Sequence, residues 1–252
     1  MIRKYLMVPV VTLLSVIFFD CAAMAKEAKH VLTSDYTPPK YVANFNYEPA
    51  SQETPGSAGV TFAIGNISYN YQVDSKILWY KSSQFANLPN AVKQDLAKLL
   101  AAKGFSVRGP FDSYDLIPYQ DKKAIDLYLV PTFELFVTLE DTKMPSESGV
   151  FHTTATVEVN GTLNLKLLEI TTRELMWSKS IPFKFEFPYD QYLQSYITEE
   201  GPYNHDIIIN DVAKGIEQRY PDIMTTIFNL IDPEEMSIIK KQCQELRSKK
   251  GY

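Results

Sequence analysis

The sequence predicts an α+β fold: a mostly antiparallel sheet of long strands, preceded by a β-α-β unit, with helices packed on one face. Three observations lead to this fold class. Three long segments after residue 126 alternate apolar and polar residues, as strands with one buried face do. A helical pattern between two short strand candidates precedes them, and two more helical patterns end the chain. The 252 residues, 45% of them hydrophobic, suffice to bury a sizeable core.

The chain begins with the pattern of a secretory signal peptide, which we assign to residues 1–25. Arg3 and Lys4 form a positive start, and an almost entirely apolar run follows from Tyr5 to Phe19. This run is about 15 residues long, whereas a helix that crosses a bilayer needs about 20. We therefore expect the segment to be removed after export and to form no part of the fold.

Two cleavage sites are open at the end of this segment, and they lead to different proteins. Processing at Cys21 would make that residue the lipid anchor of a lipoprotein, but charged Asp20 precedes it where a small residue is usual. Cleavage after Ala25 uses the small Ala23 and Ala25 and leaves a soluble exported protein that begins at Lys26. The residues favour the second site, and Cys21 is the lipid-anchor candidate if the first is used.

After cleavage we expect an extended tether, residues 26–40, followed by a single domain, residues 41–252. The tether is polar and ends in two prolines. Apolar residues alternate over 41–47 and predict a first strand, whereas the Pro, Gly and Ser content of 48–59 predicts a loop. A second strand is predicted to start at Val60.

The first clear helix covers residues 88–104 and lies inside the expected β-α-β unit. Its apolar residues recur at helical spacing, and Gly104 is the expected stop. Strand candidates at 76–80 and 105–109 flank it. A short helical connector near 114–123 then leads to the long strands.

The long strands follow between residues 127 and 187. A tight turn at 171–174 leads into the third, in which Pro182 and Pro188 lack the N–H that a ladder needs. We therefore expect the third strand at an edge of the sheet, or these prolines at a strand end. The apolar positions of the first two strands form two inward rows: Leu127, Leu129, Phe133, Leu135, Val137 and Leu139, then Ala155, Val157, Val159, Leu163, Leu165 and Leu167.

Two helices close the chain. Residues 205–231 have apolar residues at helical spacing, and Pro221 is expected to kink or divide this element. Asp232 can cap a second helix, which Pro233 would begin. Cys243 falls on the apolar stripe of that helix, so we expect it to be buried.

Motifs for catalysis, cofactor binding or metal binding are not found in the sequence. His30, His152 and His205 are scattered, and none has a Cys, Asp or Glu partner at metal-site spacing. The net charge is −5, and only four arginines follow the signal peptide, which argues against nucleic acid as a partner. We expect a protein that is not an enzyme and that meets a membrane only through a lipid anchor.

One segment has the composition of a binding surface. Residues 188–204, "PYDQYLQSYITEEGPYN", show no strong helix or strand pattern and are predicted to form a long loop. The loop contains Tyr189, Tyr192, Tyr196 and Tyr203, whose rings are of the kind enriched at interfaces. These tyrosines are our candidates for a ligand or partner surface. The alternative is that they only pin the loop to the body.

Several stretches resemble the neuraminyllactose-binding haemagglutinin family, also called flagellar-sheath adhesin A. They are "FNYEPAS" at 45–51, "LAKLLAAKGFSV" at 96–107, "LNLKLLEITTREL" at 163–175, "NDVAKGIEQ" at 210–218 and "QCQELRSKK" at 242–250. The resemblance implies a non-enzymatic protein of the Gram-negative envelope, in the periplasm, the outer membrane or the flagellar sheath. It also implies a host glycan or an envelope protein as partner. An envelope hydrolase with a site built from scattered residues is the alternative.

Two features depart from that family. Its members are typically lipoproteins with a small residue before the cysteine, and Asp20 breaks that pattern. Its binding of sialylated glycans is attributed to a Lys/Arg-rich segment, and the corresponding residues 139–152, "LEDTKMPSESGVFH", contain Lys143 as their only cation. Because a sialate carboxylate is best held by an Arg fork or a cluster of donors, the sequence predicts no selectivity for a sialylated sugar.

Overall fold

The computed structural model describes residues 31–32, 38–70, 79–109, 111, 113–144, 146–147, 150–193 and 204–251. The strands are β1 Val31–Leu32, β2 Thr61–Ile64, β3 Ser68–Asn70, β4 Ser106–Arg108, β5 Leu127–Lys143, β6 Ser146–Glu147, β7 Val150–Glu169 and β8 Leu175–Leu193. The α-helices are α1 Leu88–Ala102, α2 Tyr119–Ala124, α3 His205–Leu230 and α4 Pro233–Lys250. Single 3-10 turns occupy Trp79–Lys81, Ser83–Phe85 and Tyr114–Leu116.

The strands form one open sheet in the order β1-β8-β7-β5-β2-β4, with β3 beside β5 and β6 beside β7. The long strands β5, β7 and β8 pair antiparallel, while the short strands β2, β3 and β4 pair parallel to their neighbours. Along the long strands buried residues alternate with more exposed ones, and the buried rows pack against α1, α3 and α4. The predicted α+β fold class is confirmed, since α1, α3 and α4 pack on one face of a mostly antiparallel sheet.

The β-α-β unit is present, but its first strand differs from the predicted one. β2 and β4 pair parallel and α1 connects them, so the unit starts at Thr61. The predicted strand at 76–80 is wrong where it can be compared, because Trp79 and Tyr80 lie in a 3-10 turn. Trp79 is buried there against Phe85, at 5.0 Å between ring centroids, and against Tyr69, at 5.5 Å. The apolar residue at position 79 is therefore explained by packing of its ring in the core, and no strand is needed.

The segment 41–47 alternates in burial as predicted, yet it joins no ladder. Ala43, Phe45 and Tyr47 are buried. The backbone N–H of Tyr41 donates to Asn210 Oδ1 (3.3 Å), and that of Ala43 donates to the carbonyl of Gln84 (3.1 Å). The strand prediction is wrong because helix α3 and a 3-10 turn, rather than a neighbouring strand, satisfy this extended backbone. Within the predicted tether, Val31–Leu32 pair parallel to β8.

Both C-terminal helices form, and α3 is not divided at Pro221. Tyr220 and Met224 on either side of the proline are buried in the core, so packing outweighs the lost backbone hydrogen bond. Helix α4 starts as predicted, with Asp232 Oδ1 accepting from the backbone N–H groups of Glu234 (2.7 Å) and Glu235 (3.0 Å). The predicted burial of Cys243 is confirmed, and burial raises the pKa of its thiol to about 12.

The third long strand lies next to the edge of the sheet, as its prolines predict. β7 pairs with β8 along Leu175–Leu193, whereas β1 is the only described strand on the other side and meets Tyr192 and Leu193 alone. Pro182 and Pro188 cannot donate a backbone hydrogen bond to an added strand. Proline in an edge strand is a common protection against pairing with another chain.

We expect Pro182→Thr/Pro188→Thr to increase self-association. The new N–H groups and the β-branched side chains would favour pairing of β8 with a second copy. Light scattering coupled to size-exclusion chromatography, over a range of concentrations, should show a larger mass than the parent chain gives. Pro49→Thr, in the loop before β2, is the matched control and should change nothing. An unchanged mass for the double variant would mean that the prolines do not protect this edge.

Candidate functional site

Residues 188–193, which begin the predicted tyrosine-containing loop 188–204, lie at the C-terminal end of β8, next to the N-terminal end of β7. β8 continues to Leu193, so the prediction that residues 188–193 form a loop is wrong. They pair with residues 151–156 of β7, a partner distant in the sequence that a local pattern cannot reveal. Tyr196, Tyr203 and the lipid-anchor candidate Cys21 lie outside the described residues.

Tyr189 faces the core. Its side chain is 3% exposed, and its hydroxyl oxygen accepts from the backbone N–H of Asn204 at 2.8 Å. Asn204 in turn caps α3, since its Oδ1 accepts from the backbone N–H of Ile207 at 3.1 Å. Tyr189 therefore pins the start of α3 to the sheet, which is the role that the alternative interpretation of these tyrosines assigns to it.

Tyr192 lies three residues further along β8 and faces the opposite, polar side of the sheet. It pairs in register with His152 of β7, and the two rings stack with centroids 4.2 Å apart and planes 3° apart. Asp190 shares this side of β8, and its Oδ1 lies 2.8 Å from His152 Nε2. A carboxylate, an imidazole and a phenol ring are thus held together by two neighbouring strands.

A β-bulge adds a cation to this group. The register between β5 and β7 shifts between Glu140 and Lys143, and Asp141 within the bulge has φ of 52°. The shift places Lys143 opposite Thr154, which is itself opposite Asp190. Bulges often re-aim side chains near functional sites. We call Lys143, His152, Thr154, Asp190 and Tyr192 the distal patch.

The distal patch is a solvated polar surface. The side chains of His152 and Asp190 are 31% and 47% exposed, and Lys143 is exposed. The patch presents hydroxyl, carboxylate, imidazole and ammonium groups beside an aromatic pair, which suits a polar ligand with several hydroxyl groups. An acid/base pair of a hydrolase normally sits in a site that excludes water. The exposure of His152 and Asp190 therefore favours binding over catalysis.

Two buried carboxylates outside the distal patch, those of Asp95 and Glu169, stabilise the fold. Asp95 of α1 accepts from the hydroxyl of Tyr220 of α3 at 3.0 Å, and burial raises the pKa of its carboxyl group. Glu169, at the end of β7, accepts from Arg247 Nε of α4 at 2.6 Å. In the part of the chain that the structure describes, no three His, Cys, Asp or Glu residues form a group that could hold a metal ion. None of the described helices is long and apolar enough to cross a bilayer.

Of the distal patch, the sequence identified Tyr192 as a candidate and Lys143 as a lone cation. It could not place His152 or Asp190 there, because their meeting depends on the β7–β8 register. The bulge also has no clear local signal, although Asp is among the residues that tolerate a left-handed conformation. Extending the alternation of β7 back to Val150 would have put His152 and Thr154 on the same side of the strand.

Comparison with known proteins shows that this chain is similar in fold to a solved structure. No family model and no curated protein match the sequence. The neuraminyllactose-binding hemagglutinin homolog from Helicobacter pylori matches with a TM-score of 0.57 at 17% identity, over 81% of this chain and 99% of that one. A DUF330 protein from Xanthomonas campestris has a TM-score of 0.33 at 14% identity, over 83% and 99% of the two chains. A lipoprotein from Neisseria meningitidis has a TM-score of 0.25 at 11% identity, over 65% and 99%. The chain therefore shares its fold with the Helicobacter protein, which agrees with the sequence resemblance at that level.

Proposed function

We propose that this protein is an exported, non-enzymatic envelope protein that binds a neutral saccharide through the distal patch. The observation that carries the proposal is the joining of Lys143, His152, Asp190 and Tyr192 on the polar face of β5, β7 and β8. Saccharide hydroxyl groups both donate and accept hydrogen bonds, and the patch supplies partners of both kinds beside aromatic rings.

The position of this patch supports an adhesin-like role. It lies at the far end of the longest strands, so it belongs to a rigid sheet rather than to a flexible loop. Strand β1, which lies within the predicted tether, pairs with β8 at Tyr192 itself. The fold likeness to a hemagglutinin homolog supports the same function class. Outer-membrane or flagellar-sheath association is part of this proposal, through Cys21 if it is lipidated.

The charge of the patch argues against selection of sialylated sugars. Lys143 is the only lysine or arginine of the patch, and the carboxylates of Glu140, Asp141 and Asp190 lie on the same strand ends. A sialate carboxylate would meet more negative than positive charge there. We expect neuraminyllactose to bind no tighter than lactose.

The binding test compares lactose and neuraminyllactose with the intact exported chain by isothermal titration calorimetry. Tyr192→Ala removes the stacked ring and Asp190→Asn removes the carboxylate, so each should weaken lactose binding at least tenfold, or about 1.4 kcal/mol. Asp190→Asn keeps the size of the side chain, which separates loss of charge from loss of structure.

Two controls match these variants. Tyr119→Ala removes a tyrosine that is 63% exposed on α2, and Asp222→Asn neutralises an exposed carboxylate on α3. Neither should change binding. Absence of any lactose binding, or equal losses in the patch and control variants, would refute the saccharide proposal. A strong preference for neuraminyllactose would refute its charge argument.

A further inference from the structure

A second concave surface lies in the β-α-β unit, far from the distal patch. A cleft of about 400 Å³ opens between α1 and the carboxyl ends of the parallel strands β2 and β4. Ligands of open α/β sheets bind preferentially in such crevices. Ile64 at this end of β2 pairs with Leu129 of β5, about 14 residues before Lys143, which places the cleft on the order of 40 Å from the distal patch.

The cleft combines an apolar floor with a cationic rim. Ile64, Ala97 and Val107 supply the apolar surface, whereas Lys93 of α1 and Arg108 of β4 supply positive charge. The described lining contains no Asp or Glu residue. The charge of the lining is therefore complementary to an anion, and its volume lies within the range of small-molecule sites, about 300–1,000 Å³.

Both cations are held in place by neighbouring groups. Lys93 Nζ donates to Asn66 Oδ1 (2.9 Å) and to the carbonyl oxygen of Phe111 (2.9 Å). An ammonium group has three N–H donors, so one remains for a ligand. Arg108 Nη1 donates to Asp121 Oδ1 (2.9 Å), and the guanidinium group has four other N–H donors. Asp121 neutralises part of the charge of Arg108, which makes Lys93 the principal cation of the cleft.

We propose that this cleft binds a small amphiphilic anion, with its carboxylate or phosphate head at Lys93 and Arg108 and its short apolar stem against Ile64, Ala97 and Val107. The proposal is independent of saccharide binding, because the two surfaces share no residue. Two anion chemistries fit the same donors, so the test separates them.

The experiment titrates the intact exported chain with four probes that share an eight-carbon stem, by isothermal titration calorimetry. They are octanoate, octyl phosphate, the neutral octyl glucoside and the cationic octyltrimethylammonium. We expect at least one anion to bind tenfold more tightly than the neutral and cationic probes. Octanoate and octyl phosphate then report which head group is preferred.

Three variants localise the binding. Lys93→Met keeps an unbranched side chain without the charge and should weaken binding of the anion at least tenfold. Ala97→Leu should have the same effect by filling the floor, and it preserves helix propensity. Lys241→Met, an exposed lysine of α4, is the matched control and should have no effect. Thermal unfolding checks that each variant is folded.

Three outcomes would overturn the proposal. They are no binding of either anion, equal binding of the anionic and neutral probes, and loss of anion binding in Lys241→Met to the same extent as in Lys93→Met. An effect of Ala97→Leu without an effect of Lys93→Met would also refute the anionic head group, since the cleft would then bind the stem alone.

Discussion

Arg247→Met is expected to lower the free energy of unfolding by about 3–5 kcal/mol, because it leaves a buried carboxylate without its cation. Glu169 is 0% exposed and accepts from Arg247 Nε at 2.6 Å. Arg247 Nη2 also donates to the carbonyl oxygen of Ile125 at 2.8 Å. One side chain of α4 therefore joins the backbone just before β5 to the end of β7, and methionine replaces none of its hydrogen bonds.

The pH dependence of stability should change with this variant. Burial raises the pKa of Glu169, but hydrogen bonds from the backbone of Thr171 and Thr172 and from Arg247 outweigh it and hold the pKa below its usual value of 4.5. A carboxyl group with a depressed pKa stabilises the fold above its unfolded pKa, and this stabilisation is lost as pH falls through the folded pKa. Arg247→Met should therefore flatten the decrease in stability below about pH 4.5.

Urea unfolding at pH 7 and at pH 4 measures both effects. Glu169→Gln/Arg247→Met removes the unpaired charge, and its Oε1 can still accept from the backbone N–H of Thr171 or Thr172, so it should recover part of the loss. Lys250→Met breaks the exposed pair with Glu174 and should cost less than about 1 kcal/mol. If Arg247→Met lowered the free energy of unfolding no more than Lys250→Met does, the buried pair would not stabilise the packing of α4.

The sequence predicted those elements whose signal is local. Buried and less buried residues alternate along most of β5 and β7, the buried apolar residues of α1 recur at helical spacing, and Asp232 caps α4. The segment 41–47 shows the limit of this reasoning. Its alternation correctly predicts which side chains are buried. Burial alone does not determine the hydrogen-bond partners of the backbone, which here are Asn210 and Gln84 rather than a strand.

Elements that depend on pairing between distant segments could not be predicted. Residues 188–193 have no clear strand pattern. They nevertheless form part of β8, because they pair with residues 151–156 of β7. The candidate site could not be predicted in full for the same reason. Tyr192 was identifiable by composition, but its partner His152 and the carboxylate of Asp190 meet only through the register of two strands, and Lys143 joins them through a bulge.

Gly215→Val should destabilise the protein by about 1–3 kcal/mol or more through overpacking between α3 and β8. A Cβ atom at position 215 would lie 2.2 Å from Cε2 of Phe185. The Phe185 ring is 7% exposed, and the Arg219 guanidinium lies 4.3 Å from its centroid. Because Arg219 Nη1 also donates to the carbonyl oxygen of Gly215 at 3.0 Å, the ring has little room to move aside. Thermal and urea unfolding measure the loss.

Gly215→Ala separates overpacking from helix propensity, since the two effects have opposite signs. Alanine in a helix interior is favoured over glycine by about 1 kcal/mol, so an unhindered position would gain stability. With Phe185 in place, the contact at 2.2 Å should cancel or exceed that gain. In a Phe185→Leu background the clash is relieved, and there Gly215→Ala should stabilise by about 1 kcal/mol. A gain of the same size in both backgrounds would show that Gly215 is not required for the close approach of α3 to β8; a gain only in the Phe185→Leu background would show that the approach depends on it.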